Sequence, residues 1–349
     1  ISGLVKDASV KSPLAFVSVV IEGTNLGVLS DIDGKFTIDI PAAKQEGNLI
    51  FQYLGYTAKR IPVKNLTKQN VVVVELKSSD LMLDEVKVEL KENPAHRIIR
   101  NVTTNRENNN PEKMRSFSYI SYNKMFVTAD IKEAADTNRT MDTVKGKAAK
   151  LLKKQHLFLT ESVSERKYLH PGRNNEKVLA SRVSGFKNSP FTLLATQMQS
   201  FSFYDDFITV FDRSFINPVC KGSTSKYFFQ IEDTLYQGKD SVFIISFRPL
   251  KGKNFDGMKG TLYINSDGWA VQNVIAEPVD RTGMISIKIQ QKYEKVENTQ
   301  WFPVQLNTDW IYMNSMISDS TMAIGSKENS GDGKVKAIGR TYISEIKLN

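Results

Sequence analysis

Three histidines, one cysteine and a few adjacent carboxylates are the residues of this 349-residue chain that could do chemistry. His96, His156 and His170 stand far apart, and none has a second ligand at helical or strand spacing. Neither a metal centre nor an acid–base pair is expected from them. Cys220 cannot close an internal disulfide and has no triad partner in the sequence, so it reads as a small core hydrophobe. Asp31-x-Asp33-Gly34 has the opening of a calcium loop, but position twelve is Ala42 where a bidentate Glu is required, so a tight turn is the better reading. Asp205-Asp206 is the most enzyme-like pair, since adjoining carboxylates can divide acid and base duties. Neighbours on a strand point to opposite faces, however, which would keep the two apart. The rings around them, Phe201, Phe203, Tyr204 and Phe207, form the candidate surface for a partner or ligand. The chain lacks a GxxxxGK[ST] phosphate loop, a GxGxxG turn, a GxSxG elbow and an HExxH pair. No catalytic residue, cofactor or metal is expected.

The elements that would hold these residues are mostly strands. Apolar residues alternate at Val17, Val19 and Ile21 and again at Phe36, Ile38 and Ile40, with further runs over Asn48–Tyr53 and Val71–Leu76. Ser30-Asp31-Ile32-Asp33-Gly34-Lys35-Phe36 is a hairpin signal, and short strands at this spacing predict a sandwich over residues 1–88. From Asn93 the texture changes. Asn93 can cap a helix, Pro94 suits its first turn, and Ala95, Ile98, Ile99 and Val102 fall on one face, before the loop Asn108-Asn109-Asn110-Pro111. Residues 116–128 return to strand character, and His170-Pro171-Gly172 reads as a turn. Helical patterns recur over Thr143–Lys154 and after Ser189-Pro190. The lysines of the first, Lys145 to Lys154, give either a solvated face or a membrane-surface contact. After Lys221 a meander of alternating strands runs from Lys226 through Tyr312, and a last strand covers Arg340–Leu348. The fold class is therefore mainly β: an N-terminal sandwich of seven-stranded type (1–88), then a larger α+β domain (89–349) with a curved antiparallel sheet and about three helices.

Composition sets the remaining bounds. Forty per cent hydrophobic and 24% charged residues are ordinary for a globular protein, and a chain this long needs no disulfide or metal to hold its core. The formal charge of +9 is spread along the whole chain without a recognised nucleic-acid module, so nucleic acid is not expected as a partner. No run approaches the ~18 apolar residues of a membrane-spanning helix. The opening at Ile1, without Met, charged n-region or apolar h-region, is expected to be a processing site or the cut end of a longer sequence.

Residues 1–76 resemble the carboxypeptidase-regulatory-like (transthyretin-like) domain at the N-terminus of many Bacteroidetes outer-membrane proteins. The residues that carry this are Ile1-Ser2-Gly3, Asp7, Pro13-Leu14-Ala15-Phe16-Val17, Gly23-Thr24-Asn25-Leu26-Gly27, the Ser30–Phe36 turn and Gly55-Tyr56, with Leu83-Asp84-Glu85-Val86 trailing. The resemblance implies an accessory fold without peptidase activity. Residues 93–349 are similar to the remainder of a poorly characterised family with that domain. The match rests on Asn93-Pro94-Ala95-His96-Arg97, Ser121-Tyr122-Asn123-Lys124, Phe158 to Arg166, Ser184-Gly185-Phe186-Lys187 and Phe201 to Asp206. Full-length members continue into a surface-antigen-type outer-membrane β-barrel, so truncation before such a barrel is expected. The resemblance implies a place at the periplasmic face of the outer membrane. Its partners there would be proteins of the cell envelope, the missing barrel among them, with contacts that position or gate that barrel. The meander also resembles the half-barrel of LolA-like lipoprotein carriers through Leu262 to Trp269 and Gln300-Trp301-Phe302-Pro303. That resemblance implies a lipid or lipoprotein ligand as the alternative.

Overall fold

The computed structural model describes residues 1–67, 72–79, 92–130, 158–185, 202–210, 213–279, 285–312, 318–319, 322–323 and 334–349. The helical patterns at 143–154 and 189–198 lie outside these residues, as do Phe201 and His156. The described chain is mainly β, with an N-terminal sandwich-like region and large antiparallel sheet structure. By contact it divides into two compact units. The first joins Ile1–Asn109 to Lys221–Leu250 and Gly260–Val274; the second comprises Asn110–Cys220, Lys251–Lys259 and Ile275–Asn349.

The first unit begins with β1 (Ser2–Asp7), β2 (Ser18–Ile21), β3 (Gly27–Leu29), β4 (Lys35–Thr37), β5 (Asn48–Gln52), β6 (Lys59–Pro62), the single turn α1 (Val63–Leu66) and β7 (Val72–Leu76). They form two sheets, ordered β4-β1-β7 and β3-β2-β5-β6. Val5, Val19, Ile21, Phe36, Leu49, Phe51, Val72 and Val74 fill the space between, each burial being worth about 1.5–3 kcal/mol before entropy. The Ser30–Phe36 segment makes a tight turn but not a hairpin, because β3 pairs with β2 while β4 pairs with β1. The turn is a corner between sheets. Its Asp31 carboxylate accepts the backbone N–H of Asp33 (2.9 Å) and of Lys35 (2.8 Å), so it is engaged in shaping the turn. Gly34 is required there twice over: its φ is +79°, and a Cβ would sit 2.6 Å from the Val5 carbonyl oxygen.

Helix α2 (Pro94–Asn109) follows the predicted stripe, burying Ala95, Ile98, Ile99 and Val102, and Asn93 caps it by accepting the Ala95 N–H at 2.9 Å. It belongs to the same unit as the antiparallel strands β13 (Tyr227–Gln237) and β14 (Asp240–Pro249) and most of β15 (Met258–Asn265), numbered in chain order. Asn93 also donates to the Phe229 carbonyl at 2.7 Å, and His96 meets the Phe229 ring edge-on. The sandwich is fixed to these strands at several points. The buried Tyr263 hydroxyl donates to the Phe16 carbonyl (3.0 Å) and the two rings meet edge-to-face. Tyr236 N–H donates to the Asn25 carbonyl (2.9 Å), and Leu26 bridges Tyr236 in parallel.

In the second unit, β8 (Ser116–Asp130), β9 (Phe158–Leu169), β10 (Arg173–Gly185), β17 (Ile285–Val296), β18 (Gln300–Tyr312) and β21 (Lys334–Leu348) lie in the order β10-β9-β8-β21-β18-β17, every pair antiparallel. The remaining strands are the hairpin β11 (Phe207–Val210) and β12 (Arg213–Ile216), β16 (Ala270–Pro278), and the two-residue pair β19 (Ser318–Asp319) and β20 (Met322–Ala323). The last strand thus sits between β8 and β18 rather than at an edge.

Candidate functional site

Among the described residues of the second unit, aromatic and charged side chains converge where β8 begins and β9 ends its pairing. Phe117 faces Tyr168 and Tyr119 faces Arg166 across the two strands, so alternation places all four on one face. Phe117 and Tyr119 are near-parallel (5°, centroids 6.0 Å apart), Tyr168 stacks on Phe117 at 4.8 Å, and Phe302 meets both rings edge-on. The Arg166 guanidinium lies 5.9 Å from the centroids of Phe117 and of Tyr119. Such stacking stabilises a cation by about 0.5–2 kcal/mol, more as water is excluded.

Polar groups fix the guanidinium in place. Its Nε donates to Asn174 Oδ1 (2.8 Å), Nη1 to the Tyr119 hydroxyl (3.1 Å) and Nη2 to Glu112 Oε1 (3.2 Å). The Arg166 side chain is 15% exposed against 38% for Glu112, so the cation is the more deeply held partner. Burial pulls the guanidinium pKa down, but the Tyr119 and Glu112 oxygens outweigh that effect and leave it raised. Glu112 sits in the turn Pro111–Lys113, capped by Asn110, whose side chain accepts the Glu112 N–H. The Glu112 carbonyl accepts the Tyr168 hydroxyl at 2.7 Å.

Pro111, Glu112, Phe117, Tyr119, Arg166, Ser202, Tyr293, Phe302 and Pro303 enclose a cleft of about 20 Å³. That is room for roughly one water-sized group. Its rear is held by the loop before β11. Ser202 Oγ donates to Asn110 Oδ1 (3.0 Å), Phe203 N–H donates to the Tyr293 hydroxyl (3.2 Å), and the fully buried Asn217 donates to the carbonyls of Phe203 (2.7 Å) and Asp205 (2.8 Å). Burial raises the Tyr293 phenol well above its ordinary range, so it remains a neutral hydroxyl. The arrangement can fix one small anionic or hydrogen-bonding group beside aromatic walls.

The structure distributes the sequence candidates unevenly. Phe203 and Tyr204 are buried rather than presented at the surface, and the Tyr204 ring meets Tyr293, which lines the cleft, edge-on. Phe207, at the start of β11, is 57% exposed. Asp205 and Asp206 are exposed in the bend before β11, not on a strand. His96 lies on α2, with its pKa lowered by burial and by Arg100. His170 lies in the predicted turn, its N–H donating to the Arg115 carbonyl. Cys220 is buried. Among the described residues no group of three or more His, Cys, Asp and Glu could hold a metal ion. Arg166 was not among the sequence candidates. The signal for it is the pairing of Phe117 and Tyr119 on β8 with Tyr168 and Arg166 on β9, which only the register reveals.

Two family models match the chain. One described as a family of unknown function (DUF5686) matches residues 98–323, well over half of the chain, and one described as a CarboxypepD_reg-like domain matches residues 1–88. The chain is 34% identical over 88 residues to the TonB-dependent receptor SusC of Bacteroides thetaiotaomicron, which takes in 25% of this chain and 8% of the receptor. It therefore spans less than a tenth of the length of that curated relative. A DUF1329 family protein from Desulfovibrio piger is similar at TM-score 0.29 and 10% identity, over 74% of this chain and 94% of that one. A lipovitellin structure is similar at TM-score 0.25 and 7% identity, over 66% and 25%. Likeness at these scores carries no argument.

Proposed function

We propose, from the premise that this chain belongs to the family of unknown function DUF5686 behind a carboxypeptidase-regulatory-like domain, that it is a non-enzymatic contact module of an outer-membrane protein. In this reading it works at the periplasmic face and positions or gates a surface-antigen-type β-barrel through protein contacts. Residues 1–88 are the regulatory-like domain and 89–349 the α+β domain. The observation that carries the reading is the 34% identity of the N-terminal region to an outer-membrane receptor of Bacteroides thetaiotaomicron. The build of the first unit supports it. The resemblance residues Asp7 and Tyr56 meet at 2.6 Å, and Asp7 also takes the N–H groups of Ser9 and Val10, so its side chain holds the fold together. The alternative, a lipid-holding half-barrel of LolA type, calls for an apolar cavity of roughly 300 Å³ or more. The Arg166 cleft is far smaller and walled by a charge.

The test is photo-crosslinking in cells of the natural full-length protein, with the reactive side chain placed at the exposed positions Val73 and Phe207 in turn. Crosslinks to outer-membrane protein in the membrane fraction are expected. A protein recovered from the cytosol, or one whose hydrolase activity is abolished by Arg166→Met, would overturn the reading.

A further inference from the structure

Three loops meet at one end of the N-terminal sandwich: residues 7–12 after β1, 53–58 between β5 and β6, and 77–79 after β7. Hydrogen bonds lock them together. The Ala8 N–H donates to the Leu76 carbonyl (2.8 Å), the Thr57 N–H to that of Lys77 (2.9 Å) and the Ser79 N–H to that of Gly55 (2.9 Å). Asp7 ties the first loop to the second, taking the Ser9 and Val10 N–H groups on one oxygen and the Tyr56 hydroxyl on the other. What these loops present is therefore fixed in advance. Val10 is 72% exposed, the most exposed large hydrophobic side chain among the described residues, and Leu54 is 38% exposed. Lysines gather beside them. Lys6 on β1 faces Glu75 on β7, whose carboxylate accepts the Lys11 ammonium (2.8 Å) and whose carbonyl accepts that of Lys59 (3.1 Å). Lys77 is exposed two residues further on. The Glu75 carboxyl is held below its ordinary value, first by the Lys11 hydrogen bond and then by the charges of Lys11, Lys59 and Lys6. Asp7 is buried in its turn, and Asp31 and Asp33 lie in the turn into β4, across β1 from β7. Among the described residues of these loops and strand ends, four lysines thus stand against one exposed carboxylate.

We infer that this end of the sandwich docks on an anionic lipid surface, with Val10 and Leu54 entering the headgroup layer and Lys6, Lys11, Lys59 and Lys77 meeting lipid phosphates. Protruding apolar tips beside lysines suit such a surface, because the tips bury below the phosphates that the ammonium groups attract. A protein partner fits less well. Protein interfaces are depleted of lysine and draw their cores from aromatic side chains, whereas the rings at this end, Tyr53 and Tyr56, pack back against the sandwich core. The inference rests on the contact-module reading, which sets the chain beside a bilayer, and adds lipid to its contacts.

Co-sedimentation of the full chain with vesicles of phosphatidylcholine and about one-third phosphatidylglycerol tests it. Binding should weaken as salt is added and fall about tenfold or more on phosphatidylcholine alone. Lys6→Ala combined with Lys77→Ala should weaken it about tenfold or more, at about fivefold per charge. Lys44→Ala with Lys64→Ala removes the same charge at the opposite end of the sandwich, where β5 begins and β6 ends, and should change binding less than about twofold. A solvatochromic label on Val10→Cys should shift to the blue on the vesicles, Cys220 being buried from the reagent. Should a variant fail to fold, the lipid-composition arm on the parent protein still decides: equal binding to neutral vesicles, or none to anionic ones, would overturn the inference. Equal weakening by the control pair would overturn it too, because net charge alone would then explain the binding. So would polyglutamate that shifts the label as far as the vesicles do, since this end would then suit an acidic protein. Failure here with crosslinks at Phe207 intact would remove the lipid contact and leave the contact-module reading standing.

Discussion

β13 and β10 are both outer partners of long antiparallel hairpins, yet their surroundings differ completely. β13 buries Tyr227, Phe229 and Leu235, receives Asn93 of α2 on its Phe229 carbonyl, and has the Tyr236 N–H taken by Asn25 of the sandwich. β10 buries none of its residues. The N-terminal domain and α2 thus act on β13 as a cover, closing a row of backbone groups that would otherwise invite another chain. The contrast separates a strand whose side chains hold a fold from one whose side chains are presented.

Breaking that contrast should produce effects that fall off in a definite order. Phe229→Ala empties a fully buried ring site and should destabilise the protein by about 3–5 kcal/mol in urea unfolding. Arg166→Met removes a cation with three hydrogen-bond partners while leaving Glu112 and the ring stack behind, and should cost about 1–3 kcal/mol. Arg166→Lys should recover less than half of this, because an ammonium cannot supply the planar fork. Tyr263→Phe leaves the buried Phe16 carbonyl without its donor and should cost about 1 kcal/mol by the same measurement. If it were neutral, the tie between the sandwich and β15 would be ornamental.

A smaller effect should appear in acid. The Tyr56 hydroxyl, then the Val10 and Ser9 N–H groups, hold the Asp7 carboxyl below its ordinary value. A depressed folded pKa stabilises the fold above the unfolded value of about 3.9 and loses that contribution as pH falls through the folded value. Thermal unfolding should therefore show an acid limb beginning near pH 4 that flattens in Asp7→Asn. Smallest of all, Val183→Thr on β10 should shift stability by no more than about 0.5 kcal/mol. A larger loss would mean that β10 is packed and the contrast with β13 false.

Much of β13's setting was legible in the sequence, and little of β10's. The Asn93-Pro94 cap, the stripe from Ala95 to Val102 and the alternation through the meander are local periodicities, and the structure follows them. The Asp33-Gly34 turn was legible as a turn but not as a corner. The sequence shows where the backbone reverses, whereas which sheet receives the next strand depends on β1, some thirty residues earlier. β10 escaped notice because its exposed residues remove the alternation that marks a half-buried strand. Arg166 on β9 escaped too, its role set by a register with β8 that spans nearly fifty residues. Phe203 and Tyr204 show the converse limit: a ring cluster reads the same whether it faces solvent or is buried.

The place of β21 has a consequence for how the molecule is made. Because residues 334–348 lie between β8 and β18, the hairpins β8–β9–β10 and β17–β18 have no common partner until β21 itself has been synthesised. Contacts this distant along the chain close slowly. In that interval the flanks of β8 and β18 are open to mispairing, so a holding chaperone during synthesis should raise the yield of folded protein more than any stabilising substitution in the sandwich.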